Sequence, residues 1–93
     1  MEYVWTESKS ARNESERGLG FEAGVMVLEG SHVLYVDTRR DYGEIRYVAM
    51  GALEGRQVIV VYAGDNDVRR IISMRYASDR ERNGIWGKSF VKV

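Results

Sequence analysis

Residues 68–77, VRRIISMRYA, decide how this chain is read. Taken as a strand with its period of two, they place Arg70, Ile72 and Met74 on one face and Ile71, Ser73 and Arg75 on the other. The first face reads as core ending in a charge, and the second aims Ser73 and Arg75 outward. Arginines on a rigid strand suit phosphate, because a planar guanidinium pairs with two oxygens at once. Spacing alone favours the plainer reading, in which the arginines are solvated residues flanking a strand.

Working outward, the same period recurs upstream. Gln57 to Ala63, QVIVVYA, is an almost continuous apolar run and reads as the buried central strand. The tip Gly64-Asp65-Asn66-Asp67 returns the chain into Val68 with strong turn chemistry. Before it come His32 to Asp37 (HVLYVD) and Glu44 to Met50 (EIRYVAM), separated by a charged turn over 38–43 and followed by a turn over 51–55. Alternation puts Glu44, Arg46, Val48 and Met50 on one face of the third of these runs.

The N-terminal third has a different period. Glu2 to Trp5 forms a short apolar piece suited to a first strand, and Thr6 is placed to cap a helix that reaches Arg17 and stops at Gly18. That helix is polar almost all round, so it is expected on the periphery, anchored by Trp5 and Ala11. Phe21, Gly24, Val25 and Leu28 then fall at i, i+3, i+4 and i+7, one face of a second short helix turned to the core. After Ala77, Ser78 caps a short helix over 79–82 that Asn83-Gly84 ends. The tail, 85–93, carries Trp86 and Phe90 and reads as an edge strand or as a surface that pairs with another chain. The expectation is a single α+β domain over 1–93: an antiparallel sheet of about four strands on two N-terminal helices, with a short C-terminal helix.

Ninety-three residues allow one modest core. Without cysteine there is no disulfide framework and no thiolate metal site, and one histidine with scattered carboxylates makes no zinc site. No cofactor motif, phosphate loop or dinucleotide-binding glycine pattern is present. Neither a leader nor a membrane span is legible, so the chain is read as soluble and cytoplasmic. Fourteen cations balance fourteen acids, which argues against a large non-specific nucleic-acid surface. The distribution says more. Residues 1–37 hold seven acids and three bases, residues 38–93 seven acids and eleven bases, and eleven of the fourteen cations are arginine. The second part is therefore the candidate anionic-ligand surface, although an acidic inhibitory partner would use the same feature.

Several short pieces in a fixed order resemble the BrnT family of toxins from bacterial type II toxin-antitoxin systems. They are Tyr3-Val4-Trp5 with Lys9 and Asn13; Gly18 with Phe21-Glu22-Ala23; Gly43-Glu44 with Arg46 to Gly51; the apolar strand Val58 to Tyr62; and Arg70 to Ser73 with Arg75, Ala77, Arg80 and Glu81. The resemblance implies a fold like that of the RelE ribonucleases. It also implies a metal-independent endoribonuclease that cuts RNA and is neutralised by a ribbon-helix-helix, DNA-binding antitoxin. The small core and the apolar tail lead to the expectation of a homodimer or a toxin-antitoxin heterotetramer.

Carried over residue by residue, the match is uneven. Thr6 stands where relatives have Asp, and Glu16-Arg17-Gly18 where they have Lys-His-Gly, so a histidine able to move a proton near neutral pH is replaced by an arginine that cannot. Glu44, Arg46, Arg70, Ser73 and Arg75 match. The resemblance thus assigns the phosphate to Arg46, Arg70 and Arg75, with Glu44 either a base or the group that orients Arg46. Arg17, Ser73, Tyr76 and Lys9 are the candidate substrate-binding residues. Lys9 and Asn13 share a helical face and either reach the site or fix the helix to the sheet. His32 reads as an ordinary strand-end histidine, and Tyr47 and Tyr76 as core residues that can also stack on bases. A second reading stands beside the first: a weakly active relative that works by binding its antitoxin and so controls transcription.

Overall fold

The computed structural model describes residues 1–84 and 90–92. Its elements in chain order are β1 (Glu2–Val4), α1 (Glu7–Arg17), α2 (Phe21–Glu29), β2 (His32–Asp37), β3 (Arg46–Leu53), β4 (Arg56–Gly64), β5 (Val68–Tyr76), α3 (Asp79–Arg82) and β6 (Phe90–Lys92). The strands make one sheet in the order β1-β5-β4-β3-β2-β6. Strands β2 to β5 form the expected antiparallel meander. The sheet is nonetheless mixed and larger than four strands, because β1 pairs in parallel with the start of β5 and β6 pairs with β2. Both additions are three-residue strands in segments expected to be extended, the 2–5 piece and the tail; what no local pattern announces is which strand each one pairs with. Among the described residues no helix is long and apolar enough to cross a membrane.

Helices α1 and α2 cover one face of the sheet. Leu19, Phe21, Val27 and Leu28 meet Ala49, Val58, Val60, Tyr62, Ile71 and Met74 there, all at most 4 % exposed. Gly24 lets α2 sit close to the sheet, since a Cβ would lie 3.2 Å from Cδ1 of Ile71. The expected 51–55 turn is shorter than its sequence suggests. Gly51 lies within β3, where a side chain would meet Val27 and the Ser31 carbonyl. Only Glu54 and Gly55 turn, both with positive φ, the twist that suits a two-residue hairpin.

Helix α1 also corrects an expectation. Ala11 is exposed, and the buried face is polar: Ser10 and Asn13. The backbone N–H of Phe21 donates to Ser10 Oγ at 2.8 Å, and Asn13 Nδ2 donates to the Leu19 carbonyl at 2.7 Å. Those two bonds tie α1 to the start of α2, so a helix with almost no apolar stripe is still docked.

The decisive local feature lies in β5. Val61 pairs with Ser73 and Tyr62 with Ile71, which leaves Ile72 without a partner on β4. This bulge resets the alternation. Strict alternation separates Arg70 from Ser73 and Arg75; the bulge instead puts Ile71 and Met74 together in the core and turns Arg70, Ser73 and Arg75 to the opposite face.

Candidate functional site

That opposite face carries its own small cluster, Val48, Ile59 and Ala77 with Met50 and Val61 against it. Cross-strand pairing aligns Arg46 with Ala63 and Arg70, Val48 with Val61 and Ser73, and Met50 with Ile59 and Arg75. Three of the four residues expected to be catalytic meet at one end of this face. Arg70 Nη2 donates to Glu44 Oε1 at 2.8 Å and to Oε2 at 2.7 Å, while Arg46 Nε lies 3.5 Å from Oε2. Glu44 precedes β3 rather than belonging to it, yet its carboxylate bridges two strands. The Arg70 hydrogen bond holds its carboxyl below the usual carboxylate range, with the charges of Arg70 and Arg46 adding to the effect. A carboxylate so held is a weak base and a firm orienting group.

Arg46 is gripped from its other side by a residue that the sequence did not single out. Its guanidinium carbon lies 4.1 Å from the centre of the Tyr42 ring. The Tyr42 hydroxyl donates to Asp37 Oδ2 at 2.9 Å, and Asp37 also takes a forked pair of bonds from Arg39, at 2.9 and 2.8 Å. Asp37 is only 6 % exposed. The Arg39 hydrogen bond, followed by its own burial acting the other way and by the Arg39 backbone and Tyr42 bonds, leaves its pKa at about 2. Asp37, Arg39 and Tyr42 were missed because their meeting depends on the path of the 38–45 loop; an acid at the inner end of a strand was the one available signal.

Arg75 lies on the same face, four pairing positions from Arg70, about 13 Å along the strands. It forks onto Glu81, both bonds 2.6 Å, and Glu81 in turn accepts from the Ser78 backbone in a capping box that starts α3. Arg75 holds the Glu81 pKa at about 2, and the Glu81 bond raises that of Arg75, partly offset by burial and by the charge of Arg39. Ser73 sits between the two arginine positions and is half-buried.

The remaining candidates lie elsewhere. Arg17 donates to Asn13 Oδ1 at 3.3 Å and to the Met74 carbonyl at 3.2 Å, on the helix side of β5. Lys9, Arg12, Arg17, Phe21 and Ile72 line a cavity of about 260 Å³ there. Tyr76 packs against the helix-side core with Arg56 3.6 Å over its ring. His32 lies at the far end of β2, paired with Gly51, and its Nδ1 is 2.9 Å from the Gly30 carbonyl. Trp86 and the Phe90 side chain fall outside the described residues.

The face can therefore place several guanidinium groups on an anion, each preset by a carboxylate. Comparison with known proteins gives this geometry its context. Residues 5–81 match the family described as the ribonuclease toxin BrnT of type II toxin-antitoxin systems. No curated protein matches the sequence. The matched segment spans most of the chain and includes the arginine face, α1 and the strand bulge. The chain belongs to the BrnT family of ribonuclease toxins of type II toxin-antitoxin systems.

Proposed function

We propose that the chain is a metal-independent endoribonuclease whose scissile phosphate sits against Arg46 and Arg70, with Arg75 holding the strand farther along the face. The observation that carries the reading is the carboxylate of Glu44 shared by Arg46 and Arg70. Two guanidinium groups fixed before substrate arrives offer the charge that a phosphorane transition state needs, with little reorganisation. Phosphate entering beside Arg70 shares that guanidinium with Glu44 and weakens the main cause of its lowered pKa, so Glu44 gains basicity when the 2′-hydroxyl is near. The 2′-oxygen then attacks phosphorus, its proton passes to Glu44, and the bond to the 5′-oxygen breaks. Water protonates the leaving oxygen, and the products are a 2′,3′-cyclic phosphate and a 5′-hydroxyl. Arg17 and Lys9 line a separate cavity on the helix side of the sheet and have no part in this step.

The antitoxin in this reading is a ribbon-helix-helix protein that binds DNA, and the assembly is a homodimer or a heterotetramer with it, in the cytoplasm. One observation favours the second reading, a weakly active chain that regulates through its antitoxin: Arg17 is engaged by Asn13 and the Met74 carbonyl, where relatives have a histidine. Labelled total RNA incubated with the purified chain in EDTA, beside Arg70→Ala, separates the two. Cleavage by the unchanged chain alone supports the ribonuclease reading; intact RNA in both lanes supports the regulatory one.

A further inference from the structure

At the arginine-bearing end of the sheet, but on its helix side, lies a partly enclosed cavity of about 210 Å³ lined by Leu34, Tyr47, Tyr62, Asp65, Asn66 and Arg69. Tyr47 and Tyr62 stack at 5.3 Å with their planes 23° apart, and the Arg69 guanidinium lies 5.0 Å from the Tyr62 ring centre. Tyr62 is 3 % exposed and Tyr47 half-buried, so the stacked pair forms the aromatic wall of this cavity. Asp65 spends Oδ1 on the backbone N–H groups of Asp67 and Val68, at 2.8 and 2.9 Å, and leaves Oδ2 unbonded among the described residues.

A second cavity, of about 360 Å³, shares Gly64 and Asp65 with the first and is also lined by Glu44 and Arg70. The tyrosine cavity and the cavity beside the proposed phosphate site therefore adjoin at the 64–67 turn.

We propose that the tyrosine cavity binds the base of a guanine nucleotide adjoining the phosphate held at Arg46 and Arg70. This rests on the ribonuclease reading for the identity of the ligand. Aromatic rings and a guanidinium plane are the surfaces on which unpaired RNA bases stack. The polar groups select among bases. Guanine alone carries two adjacent donors, the ring N1–H and the exocyclic amine, beside a carbonyl acceptor; the donors suit the free oxygen of Asp65, and the carbonyl suits Arg69 or Asn66. Adenine and cytosine would turn an unprotonated ring nitrogen toward the carboxylate, and uracil has one donor between two acceptors.

Guanosine 5′-monophosphate and cytidine 5′-monophosphate are titrated into the full chain while the ring resonances of Tyr47 and Tyr62 are followed by NMR, with inorganic phosphate as the control. The expected result is that the guanine nucleotide shifts both rings and binds about tenfold tighter than the cytosine nucleotide. Asn66→Ala and Arg69→Ala, one exposed and one half-buried, should each remove most of that preference with the circular dichroism spectrum unchanged. Silent tyrosine rings, equal binding of the two nucleotides, or variants that keep the preference would overturn the proposal. RNA left uncut while the guanine nucleotide still binds would sink the cleavage reading and leave this site standing; RNA cut with the rings silent would sink this site alone.

Discussion

Glu44 and Arg70 are 26 residues apart in sequence and joined by two hydrogen bonds, 2.8 and 2.7 Å, that fix the guanidinium on the face opposite the helices. Arg46 shares the same carboxylate, with its other side against Tyr42. A charged cluster built this way contributes more to orientation than to stability, because its members remain open to solvent.

Replacing Arg70 with Ala should therefore leave the melting temperature nearly unchanged and lower RNA cleavage by roughly 100-fold or more, the scale seen when one preset charge-stabilising group is lost. Glu44→Gln keeps the shape and removes the charge; a loss of at least roughly tenfold is expected, the low end for a proton-transfer group. Gel-based cleavage rates beside thermal melts check both.

Tyr42→Leu removes the ring that supports Arg46 and the hydroxyl bonded to Asp37. Cleavage should fall and the RNA concentration for half-maximal rate should rise, whereas Tyr42→Phe, which keeps the ring, should recover most of the activity. Equal losses in both variants would mean that the hydroxyl, not the ring, is what matters.

Acid should unfold the protein through two carboxylates. Asp37 and Glu81 both have pKa values near 2 in the fold, below their ordinary 3.8 and 4.5. A depressed carboxylate stabilises the fold fully above its unfolded pKa, and that contribution is lost as pH falls through the folded value. Melting temperature should thus be flat above about pH 5 and drop between about pH 4.5 and 2. The buried Asp37 accounts for on the order of 2 kcal/mol of this, and Asp37→Asn should flatten the low-pH fall.

Gly64 has φ +130, and a Cβ there would lie 2.1 Å from the Val68 carbonyl oxygen. Gly64→Ala should cost about 1–3 kcal/mol in urea unfolding and loosen the turn that divides the two cavities. Replacement by Ala at Asn13 should cost a similar amount, about 1–3 kcal/mol, by leaving the Leu19 carbonyl unpaired at the α1–α2 join.

Much of this was legible in the sequence. The meander from His32 to Tyr76, the capped helix at Ser78, the glycine stop after Arg17 and the apolar face of α2 all follow from local periodicity and capping chemistry, which act within a few residues. The choice of Glu44, Arg46 and Arg70 came instead from the resemblance to the toxin family, since spacing alone favoured solvated arginines. Other features depended on contacts between distant segments. Parity along β5 was misread because a bulge costs no particular residue type: Ile72 fits a regular strand as well as an unpaired position. The parallel β1, the polar docking of α1 through Ser10 and Asn13, and the meeting of Asp37, Arg39 and Tyr42 with Arg46 likewise arise only once the chain has closed on itself. The sequence by itself determined which residues form strands and helices and how many arginines the second half carries. Tertiary structure decided which of those arginines share a face, because facing is set by pairing register and by the single unpaired residue that shifts it.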